Sequence, residues 1–82
     1  MKVDIIRADK DPTGPFRFSC IIIVEAIPNL FERLILGRKR EFIHYKGDCC
    51  NWYKQSDNTE ASFQLKHKLQ KYWVSWCWEN YL

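Results

Sequence analysis

The segment SFQLKHKLQKYWVSWCWENYL, from Ser62 to Leu82, decides the fold, because it is the longest periodic stretch and holds three of the four tryptophans. At about 100° per residue, one apolar stripe consists of Leu65, Leu69, Tyr72, Trp73 and Trp76. A second stripe, roughly 160–180° away, consists of Phe63, His67, Val74, Trp78 and Tyr81. An ordinary surface helix has one such stripe. We therefore predict a C-terminal helix whose first stripe enters the core and whose second stripe either extends the core or meets a partner.

Length and composition bound the class of protein. With 82 residues we expect the chain to form one domain, 1–82, which buries only somewhat more than ~60% of its unfolded surface. The net charge of +3 is lower than that of a dedicated nucleic-acid binder. The best apolar run, Cys20 to Val24, is far shorter than the ~20 residues of a membrane-spanning helix, and no secretory signal is visible. We expect a cytoplasmic protein with reduced cysteines and no membrane association.

The remaining sequence predicts an α+β domain. Its segments are an edge strand in residues 1–8, a turn from Asp9 to Pro15, a central strand from Phe16 to Ala26, a helix from Pro28 stopped by Gly37, a strand from Glu41 to Gly47, and a return strand from Cys49 to Gln55. The order β-β-α-β-β-α favours an antiparallel sheet of three or four strands, with the long C-terminal helix packed on one face.

Metal binding and catalysis are not favoured by the spacing of the chemical residues. Zinc ligands usually come in pairs such as C-x2-C, whereas Cys49 and Cys50 are adjacent and Cys20 and Cys77 stand alone. A cysteine could approach His67, but no glycine-rich elbow or phosphate-binding loop accompanies the pair. We therefore expect a non-enzymatic protein without a cofactor or a metal.

Aromatic residues beside lysines favour a small single-stranded RNA-binding module as an alternative, because a sheet can stack unpaired bases on its aromatic rings. The residues in question are Tyr45, Lys46, Trp52, Tyr53 and Lys54 of the predicted hairpin, with Lys68 and Lys71 of the last helix. Packing of Trp52 against Trp73 or Trp76 in the core explains the same pattern.

Binding of a protein partner is the function that the second stripe favours, because exposed aromatic clusters mark interaction sites. The expected anchors are Phe63, Val74, Trp78 and Tyr81. The cluster Arg38, Lys39 and Arg40 would steer an acidic surface or RNA phosphates, or would simply stabilise the end of the first helix. A second copy of the chain is another candidate occupant of the stripe.

The run FERLILGRKREFIHYKGDCCNWY, followed by a helix rich in lysine and tryptophan, resembles small proteins encoded by bacteriophages and prophages. The similarity extends from about Cys20 to Trp78 and contains no catalytic motif. It implies an anti-CRISPR-like inhibitor that binds a host defence system, such as an RNA-guided nuclease or its RNA-bound complex, in the host cytoplasm.

Overall fold

The computed structural model describes residues 1–14, 16–48 and 50–81. Its elements are β1 (Lys2–Lys10), β2 (Cys20–Ile27), α1 (Leu30–Ile35), β3 (Glu41–Gly47), β4 (Trp52–Lys54) and α2 (Phe63–Asn80). The four strands form one antiparallel sheet in the order β1-β2-β3-β4. The predicted α+β class and the order β-β-α-β-β-α are confirmed. No helix in the described ranges is long and apolar enough to cross a membrane.

The core lies between α2 and one face of the sheet. On β2 the residues Cys20, Ile22 and Val24 are completely buried, as the apolar centre of this strand predicts. The helix contributes Leu69, Trp76 and Cys77, and β4 contributes Trp52.

Polar contacts fix the first turn and the middle of α2. The hydroxyl of Ser62 caps the first turn and accepts a hydrogen bond from the backbone N–H of Leu65, as capping serines usually do. The indole N–H of Trp73 donates to the carbonyl of Phe18 over 2.9 Å. This second bond ties the middle of the helix to the segment that enters β2.

Two strand boundaries differ from the predicted ones. The structure has β1 continuing to Lys10, and β2 begins at Cys20 rather than Phe16. The connection is a turn in which the Asp11 carboxylate accepts bonds from the backbone and hydroxyl of Thr13, so side chain-to-backbone bonding replaces the sheet ladder there.

The return strand is also shorter than predicted, covering only Trp52–Lys54. Its predicted start at Cys49 lies outside the described residues. Beyond Lys54 the chain turns back, and the backbone of Thr59 and Ala61 bonds to the outer edge of β4.

Candidate partner-binding surfaces

Helix α1 presents its apolar side to solvent, whereas an ordinary surface helix turns its apolar side towards the core. None of its residues is buried. The large apolar side chains of α1 and of its C-terminal capping residue, Leu36, are 57–74% exposed. We call these five residues the α1 apolar face: Leu30, Phe31, Leu34, Ile35 and Leu36. Five exposed apolar side chains therefore lie within seven consecutive residues at one end of the sheet.

The sequence around α1 fixes where this short helix begins and ends. The side chain of Asn29 accepts a 2.8 Å hydrogen bond from the backbone N–H of Glu32, which satisfies one of the free donors of the first turn. Gly37 has a φ of +63°, the left-handed conformation that commonly ends a helix and favours glycine. The predicted stop at Gly37 is therefore confirmed.

The inward side of α1 is polar. The Glu32 carboxylate contacts the amino group of Met1 at 2.8 Å and the Arg38 guanidinium at 3.3 Å, and its side chain is only 12% exposed. The hydrogen bond from Met1, with smaller contributions from the Asn29 backbone and Arg38, lowers the pKa of Glu32. These ion pairs turn the apolar residues of α1 towards solvent, so α1 does not cover the second stripe of α2.

The second stripe of α2 is largely uncovered. Phe63, Val74 and Trp78 are 86%, 48% and 68% exposed. Tyr81 differs, because its ring packs edge-on against the rings of Phe18 and Trp76 with centroids 5.2 Å apart in both pairs. Three of the four expected anchors are therefore accessible, and the fourth contributes to the fold.

The exposed residues of α2 do not form one patch. A shallow apolar groove of about 190 Å³ is lined by Phe18, Trp73, Val74, Cys77 and Trp78; we call it the α2 groove. Phe63 lies fifteen residues before Trp78, or about 22 Å along a helix. It therefore lies outside the α2 groove.

The basic loop is partly neutralised by the chain itself. Arg38 pairs with Glu32, and the Arg40 guanidinium contacts the Glu25 carboxylate at 2.7 Å. Among the described residues, no carboxylate lies within ion-pair distance of Lys39. Of the three cations expected to steer a partner, two are therefore paired within the chain, and Lys39 is the one without a carboxylate partner among the described residues.

The residues of the RNA-binding alternative are divided between several environments. Trp52 is fully buried, so its ring is unavailable for stacking, and the alternative of core packing is correct for this residue. Tyr45 is half-buried against the core. Lys54 lies 4.0 Å from the Asp57 carboxylate, which also makes this cation less available.

The remaining members of that set lie on opposite sides of the sheet. Lys46 and Tyr53 are paired across β3 and β4 on the face that α2 does not cover. Lys68 and Lys71 are exposed on α2 itself. The described residues therefore do not assemble the predicted set into one stacking surface.

The thiols inside the core have little nucleophilic character, since the thiolate is the reactive form. Burial raises the pKa of Cys20 to about 12, with a further contribution from Cys77. Burial also raises the pKa of Cys77. Within residues 1–14, 16–48 and 50–81, no three His, Cys, Asp or Glu side chains lie close enough to hold a metal ion.

Sequence reasoning missed the α1 apolar face. The available signal was the short stretch between Pro28 and Gly37, because a short helix is marginal without packing, and LFERLIL has an acid and a base inside its apolar run.

Comparison with family models, curated proteins and solved structures finds no match.

Proposed function

We propose that this chain is a non-enzymatic interaction protein that binds a protein partner through the α1 apolar face. The observation that supports this proposal is the orientation of α1, whose acidic residue Glu32 points inward while its apolar residues point outward. The largest apolar patch on a typical monomer covers about 300–600 Å² and is often functional. The α1 apolar face has the character of such a site.

The free energy available from burying these exposed side chains also supports a partner-binding role for the α1 apolar face. Full burial of one Leu, Ile or Phe side chain is worth about 1.5–3 kcal/mol, and these five side chains are each more than half exposed. A partner with an apolar groove would gain most of that free energy, since α1 does not have to unfold from a core. Lys39 and Arg33, both exposed beside this face, favour an acidic rim on that groove.

The α2 groove is a second contact surface in this proposal. Trp78 is the strongest anchor there, because tryptophan is enriched among residues that dominate binding energy. The phage resemblance takes the proposal one step further, to an inhibitor that occupies a functional surface of a host defence nuclease.

Affinity capture from bacterial lysate tests the binding role. The bait is the wild-type chain, and the matched variant is Phe31→Ser/Leu34→Ser, which changes two side chains that are 68% and 74% exposed. Purified partner is then titrated against both chains. We expect the variant to bind at least about 30-fold more weakly, as for loss of a hot spot.

The control is Phe63→Ser, which removes an aromatic ring that is 86% exposed outside both surfaces. It should retain wild-type affinity. If the α1 variant, shown to be folded by circular dichroism, binds the purified partner as tightly as wild type, the α1 apolar face is not the binding site.

The inhibitory role has its own test. The chain is expressed in bacteria whose CRISPR nuclease restricts a phage, and plaques are counted. Inhibition predicts restored plating by the wild-type chain and reduced plating with Phe31→Ser/Leu34→Ser. Unchanged restriction across representative nuclease types would contradict the inhibitor role and leave the binding role to the capture experiment.

A further inference from the structure

The two edges of the sheet differ in how they are protected. The edge at β4 is covered, because Lys54 N–H bonds to the Thr59 carbonyl at 2.8 Å and Ala61 N–H bonds to the Trp52 carbonyl at 2.9 Å. At β1, no other segment of the described residues forms a backbone hydrogen bond to the outer edge. A free edge of nine residues is a template for pairing with another strand.

A bulge arranges the side chains of this free edge. In the register with β2, Ile5 is opposite Val24 and Arg7 is opposite Ile23, so Ile6 is an extra residue. Residues paired directly across strands share a face of the sheet. Four of the five charged residues of β1 therefore lie on the face away from α2, two on each side of the bulge: Lys2, Asp4, Arg7 and Asp9.

We propose that β1 pairs with β1 of a second copy of this chain, antiparallel, about a two-fold axis through the centre of the strand. Because the axis is normal to the sheet, every residue keeps its face. Because the bulge adds one residue to the strand, one register places Lys2 opposite Asp9 of the second copy and Asp4 opposite Arg7 of the second copy. Symmetry repeats both pairs, so the interface contains four pairs of opposite charges.

Neighbouring registers lack this complementarity. A slip of two residues is the smallest that keeps each side chain on its face. A slip in one direction brings Lys2 opposite Arg7 of the second copy, and a slip in the other direction brings Asp4 opposite Asp9 of the second copy. Like charges directly opposite each other destabilise a strand pair, so the charge order selects one register.

The same charges argue against a purely protective role for this edge. Natural edges are commonly blunted with lysines, which repel an identical strand, whereas the signs on β1 alternate and complement their own two-fold copy. Ile6 is 46% exposed and lies beside the dyad, opposite Ile5 of the second copy. We expect two single strand edges to bury less than the ~800 Å² per partner of a standard interface, and therefore a dimer that dissociates on dilution.

Sedimentation equilibrium over a range of concentrations tests the proposal. Wild type should move from the 9.9 kDa chain mass towards twice that mass. Asp4→Arg and Arg7→Asp each place like charges opposite each other twice, and each should weaken self-association at least about tenfold. A one-to-one mixture of the two variants restores both pairs between unlike chains, so it should dimerise again.

Three results would overturn the proposal: a wild type that stays monomeric, single variants that dimerise like wild type, or a mixture that stays monomeric. Circular dichroism establishes that each variant is folded. Lys2→Asp and Asp9→Lys form a second complementary pair for the same mixing experiment if the first pair misfolds. None of these residues belongs to the α1 apolar face or the α2 groove, so this test is independent of the partner-binding proposal.

Discussion

The amino group of Met1 lies 2.8 Å from Oε1 of Glu32, and this ion pair joins the start of β1 to the inward side of α1. Arg38 contacts the other carboxylate oxygen at 3.3 Å. Helix α1 has six residues, none of them buried, and a helix of that length is not stable alone. Its position and the direction of its apolar face depend on these polar contacts.

Glu32→Gln should therefore loosen α1 while the core stays intact. A neutral amide forms weaker hydrogen bonds to the cationic groups of Met1 and Arg38 than a carboxylate does. We expect hydrogen exchange of the α1 amides to become roughly two- to fivefold faster, with no change in the central amides of α2. Glu79→Gln, an exposed acid of α2, is the control. Unchanged exchange in α1 would show that the ion pairs do not hold it.

Acid should have the same effect as this substitution. The folded pKa of Glu32 is lowered mainly by its hydrogen bond to the Met1 amino group. The linked stability is therefore present above the ordinary glutamate pKa and is lost as pH falls through the lowered value. NMR titration of the Glu32 carboxyl should give a midpoint below the ordinary glutamate pKa. A midpoint at or above that ordinary value would contradict the ion pair.

The fold could be predicted from sequence because its signals are local. The apolar stripe of α2 and the β-branched centre of β2 each lie within one element. These signals are also mutually consistent, because α2 and β2 each have an apolar face that the other element covers. The α2 groove follows from the same pattern, which places Val74 and Trp78 away from the core.

The direction of α1 could not be predicted in this way. The sequence predicts a helix that starts at Pro28 and stops at Gly37, but which side of this helix faces the sheet depends on the contact between Glu32 and Met1, thirty-one residues earlier in the chain. The burial of Trp52 is also non-local, because it requires the register that pairs Trp52 with Gly47 and a helix above that site. Sequence periodicity predicts that a helix has an apolar stripe, but tertiary contacts determine whether that stripe packs against the core or is exposed to solvent.

Two tryptophans with opposite exposure should respond very differently to truncation. Trp52 is fully buried and Trp78 is 68% exposed. Trp52→Ala leaves a large cavity, so the free energy of unfolding should fall by about 3–5 kcal/mol. Trp78→Ala should change it by no more than about 0.5 kcal/mol. Urea unfolding followed by circular dichroism measures both, and equal losses would contradict the assigned burial.

Tyr81 should affect stability rather than partner binding. Its ring packs edge-on against Phe18 and Trp76, and such aromatic pairs contribute about 0.5–1.5 kcal/mol beyond area burial. Tyr81→Ala should therefore lower the free energy of unfolding by at least about 1 kcal/mol, while Tyr81→Phe retains the ring contacts and most of the stability. Equal losses for both variants would mean that the hydroxyl, not the ring, is what matters.

Alkali should destabilise the protein through Cys20. Burial raises the pKa of its thiol from 9.0 to about 12, so the folded state keeps a proton that the unfolded chain releases. The linked stability is fully present below pH 9 and is lost as pH rises from there towards 12, by up to about 1.4 kcal/mol per pH unit. Urea unfolding at several values between pH 8 and 11 measures the slope.

Cys20→Ala should give a shallower alkaline slope, even though the substitution lowers stability at neutral pH by leaving a small cavity. The comparison with wild type is needed because lysine and tyrosine side chains also titrate in this range. If Cys20→Ala and wild type lose stability equally between pH 9 and 11, ionisation of the Cys20 thiol is not linked to unfolding.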